Sequence, residues 1–215
     1  MRLAREGLPF VIGGGAILAG FVTVALLAGG GAWWAGPLAW LPVALWIPAF
    51  FRDPARPGPR GERLVIAPAD GRVVSVVEVD EPAFVGERAL RVSVFMNVFD
   101  VHVNRHPVDG TVLLRRYHPG KFLNASLDKS SLDNEQMSLG VRSGRGPVLV
   151  RQIAGLIARR IVTDPQVGEP VRQGERLGLI RFGSRVDTFL PAGAQARVRV
   201  GDRTRAGVTV IGEWP

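Results

Sequence analysis

Apolar and polar residues divide the chain into one long hydrophobic run and a tail of short alternating stretches. No charged residue occurs between Glu6 and Arg52, and this run is more than twice the roughly 20 residues that one membrane span requires. Three glycines at 29–31 interrupt it, so we predict hydrophobic segments at 8–28 and 32–51 that fold back as a helical hairpin. The run is too long for a cleaved signal peptide. We therefore predict that residues 1–51 anchor the chain in a membrane.

The second hydrophobic segment is expected to be irregular. It carries three prolines, which disturb a helix, and four tryptophans, which favour the headgroup region of a bilayer. These residues are Pro37, Pro42, Pro48, Trp33, Trp34, Trp40 and Trp46.

Positive charge flanks the hydrophobic run on both sides, at Arg2 and Arg5 before it and at Arg52, Arg56 and Arg60 after it. Because arginine favours the cytoplasmic side of membrane segments, we expect both ends of the hairpin on that side of the cell (inner) membrane. The formal net charge of +8 would add attraction to anionic lipid. No nucleic-acid motif accompanies this charge, so we expect no nucleic-acid partner.

The rest of the chain predicts a β-rich domain after a linker. Residues 52–62 are rich in Pro, Gly and Arg, which excludes regular structure. From 63 to 215, apolar residues alternate in short runs separated by Gly, Pro and Asp, without a helical period. We therefore predict a mainly β fold, a sandwich or partly open barrel, with strand-like runs at 64–67, 72–79, 89–95, 111–117, 148–158, 176–182 and 196–200.

Three sequence patterns refine this fold. The segments 68–71 and 107–110 share the pattern Pro-x-Asp-Gly, and each is predicted to turn into a strand, with glycine supplying a backbone conformation that other residues resist. A later segment, 167–178, has the paired-hairpin rhythm of biotinyl and lipoyl carriers. It lacks the lysine that those carriers modify, so we expect biotinyl-carrier-like hairpins without the modification.

The Gly183-Ser184 pair is the candidate reactive site. Gly183 has no side chain to shield its carbonyl, and the hydroxyl of Ser184 is one residue away, so an internal acyl shift is sterically open. If the resulting ester eliminates, the serine becomes dehydroalanine and then a pyruvoyl group, a protein-derived ketone that acts as an electron sink. The dipeptide is also common in turns, so it needs support from the rest of the chain.

An activated serine requires a base, and the base requires an orienting carboxylate. Of the three histidines, His106 and His118 precede prolines and are expected at strand ends or turns, whereas His102 lies in the strand-like run 98–103. His102 is therefore the preferred base. Asp70 and Asp109 both occupy Pro-x-Asp-Gly turns, and the chemistry alone does not choose between them. The absence of cysteine removes disulfides and thiol nucleophiles, and three dispersed histidines do not indicate a metal site.

Four motifs occur in the order found in the phosphatidylserine decarboxylase proenzymes. They are Ala-Pro-Ala-Asp-Gly at 67–71, Phe-Met-Asn-Val-Phe-Asp-Val-His-Val-Asn-Arg at 95–105, Tyr-His-Pro-Gly-Lys-Phe at 117–122 and Arg-Phe-Gly-Ser-Arg at 181–185. From Asp53 to its C-terminus the chain resembles the short, membrane-anchored form of this family.

This resemblance implies a set of three residues, Ser184, His102 and Asp70, that first cuts the chain between Gly183 and Ser184. It implies a β chain of residues 1–183 and an α chain of residues 184–215 that remain together. The cofactor implied is a pyruvoyl group made from Ser184, with no metal. The reaction implied is decarboxylation of membrane phosphatidylserine to phosphatidylethanolamine.

The chain departs from longer family members at two places. Those members carry Leu-Gly-Ser-Thr where this chain has Phe182 before the Gly-Ser pair and Arg185 after it. They also carry a second histidine three residues after the first, where this chain has Arg105. His118 is a candidate for the missing imidazole, and Arg105 and Arg185 are candidate supporting residues. A homo-oligomer is compatible with this interpretation.

Two other interpretations use the same residues differently. A membrane-anchored Ser/His/Asp hydrolase or protease would act on an external substrate and keep Ser184 intact. A non-enzymatic membrane adaptor with a biotinyl-like β domain would not use these side chains chemically. Chain mass separates the three, because only the decarboxylase requires two chains and a converted serine.

Overall fold

Residues 2–86, 88–123, 133–156 and 160–215 are described by a computed structural model of the chain. They divide into two structural units, Met1–Ala55 and Arg56–Pro215. The first unit is helical and apolar, and the second is built from β-strands.

The N-terminal unit contains two helices, α1 (Leu8–Ala28) and α2 (Ala35–Phe50). Short 3-10 helices at Arg5–Gly7 and Gly31–Trp34 precede them, and the short strands β1 (Arg2–Leu3) and β2 (Arg52–Asp53) pair at their base. Within the described residues, one helical stretch, Arg5–Ala28, has the length and composition of a membrane span.

The two helices pack as the hairpin that the sequence predicts. The indole N–H of Trp40 donates to the carbonyl of Gly14 at 2.9 Å. A side chain at Gly14 would lie only 2.7 Å from the Cδ1 of Ile47, so the glycine permits this close approach. Pro42 and Pro48 lie inside α2 without ending it. At 16 residues α2 is about 24 Å long, shorter than the roughly 30 Å hydrocarbon core of a bilayer.

The C-terminal unit confirms the predicted mainly β fold. Its strands are β3 (Leu64–Ile66), β4 (Gly71–Asp80), β5 (Arg88–Met96), β6 (Val103–Arg105), β7 (Gly110–His118), β8 (Gln136–Ser143), β9 (Gly146–Ala154), β10 (Arg160–Thr163), β11 (Pro170–Val171), β12 (Arg176–Arg181), β13 (Ser184–Pro191), β14 (Gln195–Ala196), β15 (Arg203–Thr204) and β16 (Val210–Glu213).

These strands form three antiparallel sheets. The large sheet has the order β11-β7-β8-β9-β13-β5-β4-β15, and two smaller sheets have the orders β10-β12-β6 and β14-β16-β3. One face of the large sheet carries the core, to which alternate residues of its central strands contribute, among them Val94, Val150 and Val186.

One edge of the large sheet is important for function, and we call it the serine edge. It is the edge at which β4, β8 and β13 begin and at which β5, β7 and β9 end, because neighbouring strands run in opposite directions. The residues that define it are Gly71, Met96, His118, Gln136, Ala154 and Ser184.

The two Pro-x-Asp-Gly turns lead into strands as predicted. Gly71 starts β4 and Gly110 starts β7. A Cβ at Gly71 would lie 2.1 Å from the carbonyl oxygen of Phe95, and one at Gly110 would lie 2.3 Å from that of Arg142. Each glycine is therefore required by the close approach of a neighbouring strand. The likeness of 167–178 to a biotinyl carrier stays a prediction.

Several strand predictions need correction. The run predicted at 148–158 ends as a strand at Ala154, and residues 157–159 lie outside the described residues; the run at 196–200 is strand only at its first residue. Two central strands, β8 and β13, were not predicted. Their buried positions include polar and charged side chains, which a rule based on apolar alternation interprets as exposed.

Candidate active site

Ser184 is the first residue of β13, where it pairs with Met96 on one side and Ala154 on the other. Its side chain is fully buried, and its Oγ has no hydrogen-bond partner among the described residues. A buried polar group without a partner costs about 1–3 kcal/mol. Stability therefore does not account for a hydroxyl at this position.

Gly183 precedes this serine with a φ of 63°, the left-handed region that glycine adopts without steric penalty. Apart from the two chain neighbours of Gly183, no atom of the described residues lies within 4 Å of the position that a Cβ would occupy there. The described residues therefore leave open the side of Gly183 on which another residue would carry its side chain.

His102 lies immediately before β6 and not within a strand, so the prediction of a strand-like run at 98–103 is wrong. The main-chain N–H of Asn97 donates to the Asp100 carboxylate at 2.9 Å, and the N–H of Phe99 donates to the Asn97 side chain at 2.8 Å. These bonds close a turn directly after Met96, because short polar side chains bind nearby main-chain groups. The turn ends β5 and redirects the chain towards His102.

The ring of His102 is fully buried, and its Nδ1 lies 3.0 Å from the main-chain carbonyl of Asp100. A carbonyl oxygen only accepts hydrogen bonds, so Nδ1 carries the proton in this contact. In the neutral ring, Nε2 then holds the lone pair. The Asp100 carbonyl thus sets the tautomer that a general base requires.

The topology brings the connection that contains His102 alongside the connection that contains Gly183. Residues 97–102 connect β5 to β6, and residues 182–183 connect β12 to β13. Strands β5 and β13 pair in the large sheet, and β6 and β12 pair in a small one. The two connections therefore pass side by side between the same two sheets.

Asp70 is partly buried at the serine edge, and other groups bind both of its carboxylate oxygens. Oδ2 lies 2.6 Å from an Arg56 guanidinium nitrogen, and Oδ1 accepts the main-chain N–H of Ala206 at 2.7 Å. Burial raises the pKa of the Asp70 carboxyl, and the bonds from Ala206 and Arg56 oppose that rise. The nearby Asp100 carboxylate also raises this pKa, so the two acids lie within electrostatic reach. Asp70 therefore adjoins the turn that orients His102, and the orienting contact itself comes from Asp100.

Asp109, the other candidate acid, has a different position. Its carboxylate accepts the main-chain N–H of Gln173 at 2.8 Å. Because it precedes the start of β7, it lies at the sheet edge opposite Ser184. The structure thus distinguishes two aspartates that the sequence motif left equivalent.

Arg56 is a site residue that sequence reasoning missed. It belongs to the segment predicted as a linker, yet its side chain is only 11% exposed where it meets Asp70. Arg60, in the same segment, donates to the carbonyl oxygens of Gly207 and Arg56. The Pro- and Gly-rich composition gave no signal of this packing.

The three candidate supporting residues lie apart from the Ser184 hydroxyl. Arg185 is fully buried and binds Asp187 through Nε at 2.6 Å. Because neighbouring residues of a strand point to opposite faces, Arg185 projects away from the face that carries Ser184. Pairing across β7, β8, β9 and β13 puts His118 on the same face as Arg185, where it is exposed. Arg105 donates to the carbonyl of Gly174 at 3.0 Å.

A buried polar network lies on the same sheet face as Ser184 and was also missed. The Gln152 amide donates to the Asn104 side chain at 2.8 Å, and the Thr163 hydroxyl donates to Gln152 at 2.6 Å. Asn134 donates to the carbonyl of Ala154 at 2.7 Å. Because Ala154 is a strand partner of Ser184, this bond braces the strand beside the serine. Among the described residues, no group of three or more His, Asp or Glu is arranged to hold a metal ion.

Comparison with known proteins identifies the family of the chain. Residues 43–212 match the family model described as phosphatidylserine decarboxylase. The chain is 54% identical over 216 residues to the phosphatidylserine decarboxylase proenzyme of Symbiobacterium thermophilum, covering 99% of this chain and 96% of that protein. It is 50% identical over 214 residues to the proenzyme of the same name from Nitrosomonas europaea, covering 99% and 95%. A further proenzyme of this name, from Cupriavidus pinatubonensis, is 46% identical over 213 residues, covering 98% and 94%. The chain belongs to the phosphatidylserine decarboxylase family.

Proposed function

We propose that this chain is a proenzyme that cuts itself between Gly183 and Ser184 and then decarboxylates phosphatidylserine to phosphatidylethanolamine. The observation that carries the proposal is the buried Oγ of Ser184, which has no hydrogen-bond partner among the described residues and directly follows a glycine in the left-handed region. Thr188 on the same strand also has a buried hydroxyl without a partner in the described chain, but Asp187 precedes it. The glycine is what distinguishes the reactive position.

Self-cleavage begins with transfer of the Ser184 hydroxyl proton to Nε2 of His102. The oxygen then forms a bond to the carbonyl carbon of Gly183, and the peptide C–N bond breaks as the nitrogen takes up a proton. The product is an ester between Gly183 and the side chain of Ser184. The Asp100 carbonyl stabilises the imidazolium by accepting its Nδ1–H bond, as an orienting acceptor does in other serine sites.

Elimination completes the conversion without an external oxidant or reductant. Removal of the Cα proton of residue 184 breaks the Cβ–O bond, and Gly183 leaves as a carboxylate. The remaining dehydroalanine takes up water and releases ammonia, which leaves a pyruvoyl group at the new N-terminus. We place the end of the β chain at residue 183 and the start of the α chain at residue 184.

The residues around Ser184 fit such a group. Once formed, the ketone supplies an electron sink for loss of carbon dioxide from the serine headgroup. Strands β5 and β9 flank β13 along most of its length and hold its first residue at the serine edge. His102 has the tautomer to take or return a proton there. The α chain stays bound because β13 lies between two strands of the β chain.

The N-terminal unit supports action on a lipid. Helix α1 is apolar throughout and long enough to anchor the protein in a bilayer. The substrate's acyl chains then remain in the bilayer while its headgroup reaches the serine edge. Arginines on both flanks of the hairpin favour the cytoplasmic side for the catalytic unit.

Intact-mass measurement of the purified, active protein tests the proposal. We expect two chains divided at 183/184, with the shorter one lacking a free amino terminus. Ser184→Ala should leave one uncut, inactive chain. Thr188→Val is the matched control, because it removes a buried hydroxyl from the same strand and should be cut normally.

The mass also separates the alternatives. An active protein with one full-length chain and an intact Ser184 would indicate a hydrolase and overturn the proposal. An uncut protein without activity on any ester, peptide or phospholipid would favour the adaptor.

A further inference from the structure

We infer that the serine edge carries a second membrane contact, separate from the helical hairpin, and we call it the lipid rim. It consists of Phe99, Leu156, Arg72 and Arg203, all beside strand ends of that edge. Its occupant is a bilayer surface of phospholipid. The inference concerns where the catalytic unit meets lipid and rests on the proposed function only for the identity of the substrate.

Phe99 forms the apolar tip of the rim. Its side chain is 72% exposed, in the turn that directly follows Met96 at the end of β5. The bonds between Asn97 and the turn hold its main chain in place. Leu156 is 70% exposed, two residues beyond the end of β9. Strands β5 and β9 are the two neighbours of β13, so these two apolar residues follow the strands that flank Ser184.

The arginines form the charged part of the rim. Arg72 and Arg203 are direct cross-strand partners on β4 and β15, and both are exposed. Two like charges directly opposite one another destabilise a strand pair. The Asp100 carboxylate lies 3.9 Å from the Arg203 guanidinium. An anion between the arginines would relieve their repulsion.

A pocket of about 250 Å³ lies between these charges. It is lined by the two arginines, Asp100 and three neutral residues, Gly71, Phe95 and Asn97. Two positive charges and one negative charge leave a net charge of +1, which matches the single negative charge of a phosphodiester. Guanidinium groups bind phosphate oxygens through paired hydrogen bonds.

The combination favours a bilayer over a protein partner. An aromatic tip beside arginines suits an interface in which apolar side chains enter the acyl boundary and cations meet phosphates. The rim also surrounds the edge at which residue 184 must meet a lipid headgroup. The arginines project from the sheet face opposite Ser184, so the headgroup would pass over the edge of the sheet to reach it.

The depth of the rim in a bilayer is the direct test. The chain has no cysteine, so Phe99→Cys introduces a unique site for a nitroxide label in the full-length protein. Val167→Cys is the matched control, since Val167 is 59% exposed near the start of β7, at the opposite edge. The proteins are placed in vesicles of phosphatidylcholine and phosphatidylserine and exposed to oxygen, which enters lipid, and to a water-soluble nickel chelate.

We expect the label at 99 to be accessible to oxygen and protected from nickel, and the label at 167 to show the reverse. Equal access of nickel to both labels would overturn the inference. This measurement does not require cleavage or activity, so it remains informative if the proposed function fails. A label at 99 that enters lipid in an uncut, inactive protein would support the rim and contradict the decarboxylase.

A kinetic comparison tests what the rim does in the cut enzyme. Rates are measured per mole of α chain on long-chain phosphatidylserine vesicles and on a soluble short-chain phosphatidylserine. Phe99→Ser should lower the vesicle-to-soluble ratio about tenfold, given the worth of one buried aromatic side chain. Val167→Ser should leave the ratio unchanged. An unchanged ratio in Phe99→Ser would count against the rim.

The arginines are tested in the same assay. Arg72→Gln with Arg203→Gln should lower the rate on vesicles, and the remaining rate should depend less on salt, because exposed charges are screened within about 8–10 Å. Arg145→Gln, at an exposed turn of the opposite edge, is the control for loss of positive charge. Equal salt dependence in the double variant and the unchanged protein would exclude a role for this pair.

Discussion

The guanidinium of Arg56 lies 2.6 Å from the carboxylate of Asp70, and the main-chain N–H of Ala206 binds the same carboxylate at 2.7 Å. Arg56 follows the apolar N-terminal unit, Asp70 directly precedes β4 at the serine edge, and Ala206 belongs to the proposed α chain. One carboxylate thus joins three segments that are far apart in sequence. Loss of one partner leaves a largely buried charge, which is costly.

In the pH profile of self-cleavage, Arg56→Gln should shift the loss of rate at acidic pH to higher pH. Arg56 is one of the groups that hold the pKa of Asp70 down against burial, so its removal raises that pKa further. If cleavage requires the ionised form of Asp70, a larger fraction of the protein then carries the protonated carboxyl at a given acidic pH, and the rate of cleavage is lower. The rate of cleavage measured by gel across pH tests this, with Arg56→Lys expected to shift less. Arg60→Gln is the control, because Arg60 donates only to carbonyl oxygens in the contacts described. Superimposable profiles for Arg56→Gln and the unchanged chain would refute the prediction.

Asp70→Asn should slow self-cleavage at least tenfold, whereas Asp109→Asn should be cut at close to the normal rate. The two substitutions make the same chemical change in the same four-residue motif. They differ in position, since Asp70 lies at the serine edge and Asp109 binds Gln173 at the opposite edge. Time courses of cleavage for the two variants provide the comparison. The reverse order of rates would assign the acid to Asp109.

His102→Ala should abolish or severely slow cleavage, and His118→Ala should not. His102 is buried in the connection that runs alongside the one containing Gly183, and His118 is exposed on the sheet face opposite Ser184. His102→Gln retains a donor for the Asp100 carbonyl but offers no base, so it should fail like the alanine variant. Normal cleavage of His102→Gln would show that the imidazole only fills space.

Acid should destabilise the uncut Ser184→Ala protein through His106. Burial lowers the pKa of His106 to about 4, against 6.5 for the exposed side chain. Between these values the unfolded chain binds a proton that the folded chain does not, so stability falls as pH falls through this window. The loss between pH 7 and pH 5 should be about 2 kcal/mol. Melting temperature in detergent across pH measures it, and His106→Gln should remove that part of the slope. The same slope in both proteins would mean that other groups cause it.

Asp187→Asn should destabilise the folded protein by about 3–5 kcal/mol, because it removes the carboxylate that forms an ion pair with the fully buried Arg185. Glu213→Gln breaks an ion pair with the half-exposed Arg197, and its cost should stay within about 1 kcal/mol. Denaturant unfolding in the Ser184→Ala background compares the two. An equal loss of stability in the two variants would contradict the burial of the Arg185–Asp187 pair.

The local sequence was sufficient for features that depend on composition and short spacing. The apolar run between Glu6 and Arg52 predicted the hairpin because a bilayer span demands uninterrupted apolar length. Turns at Gly71 and Gly110 were predicted because glycine tolerates backbone geometry that other residues resist. The order of the four motifs was also sufficient to indicate the family, since that order can be recognised in the sequence without a structure.

Tertiary structure decided the features that depend on which segments meet. Arg56 was assigned to a linker because its neighbours in sequence do not indicate contact with Asp70, 14 residues away. They also give no sign of Ala206, between the last two strands, which binds the same carboxylate. Strand β13 was not among the predicted strands because Arg185 and Asp187 are charged and charged residues are expected to be exposed. In the structure they are buried because they pair with each other and because strands lie on both sides of β13. His102 was placed in a strand because its alternating neighbours conceal the turn that Asn97 and Asp100 close. The composition of this protein determines that it has an apolar anchor and a β domain. The pairing of distant strands determines which aspartate lies at the edge where β13 begins and which histidine is buried, because burial and charge pairing arise only when those strands come together.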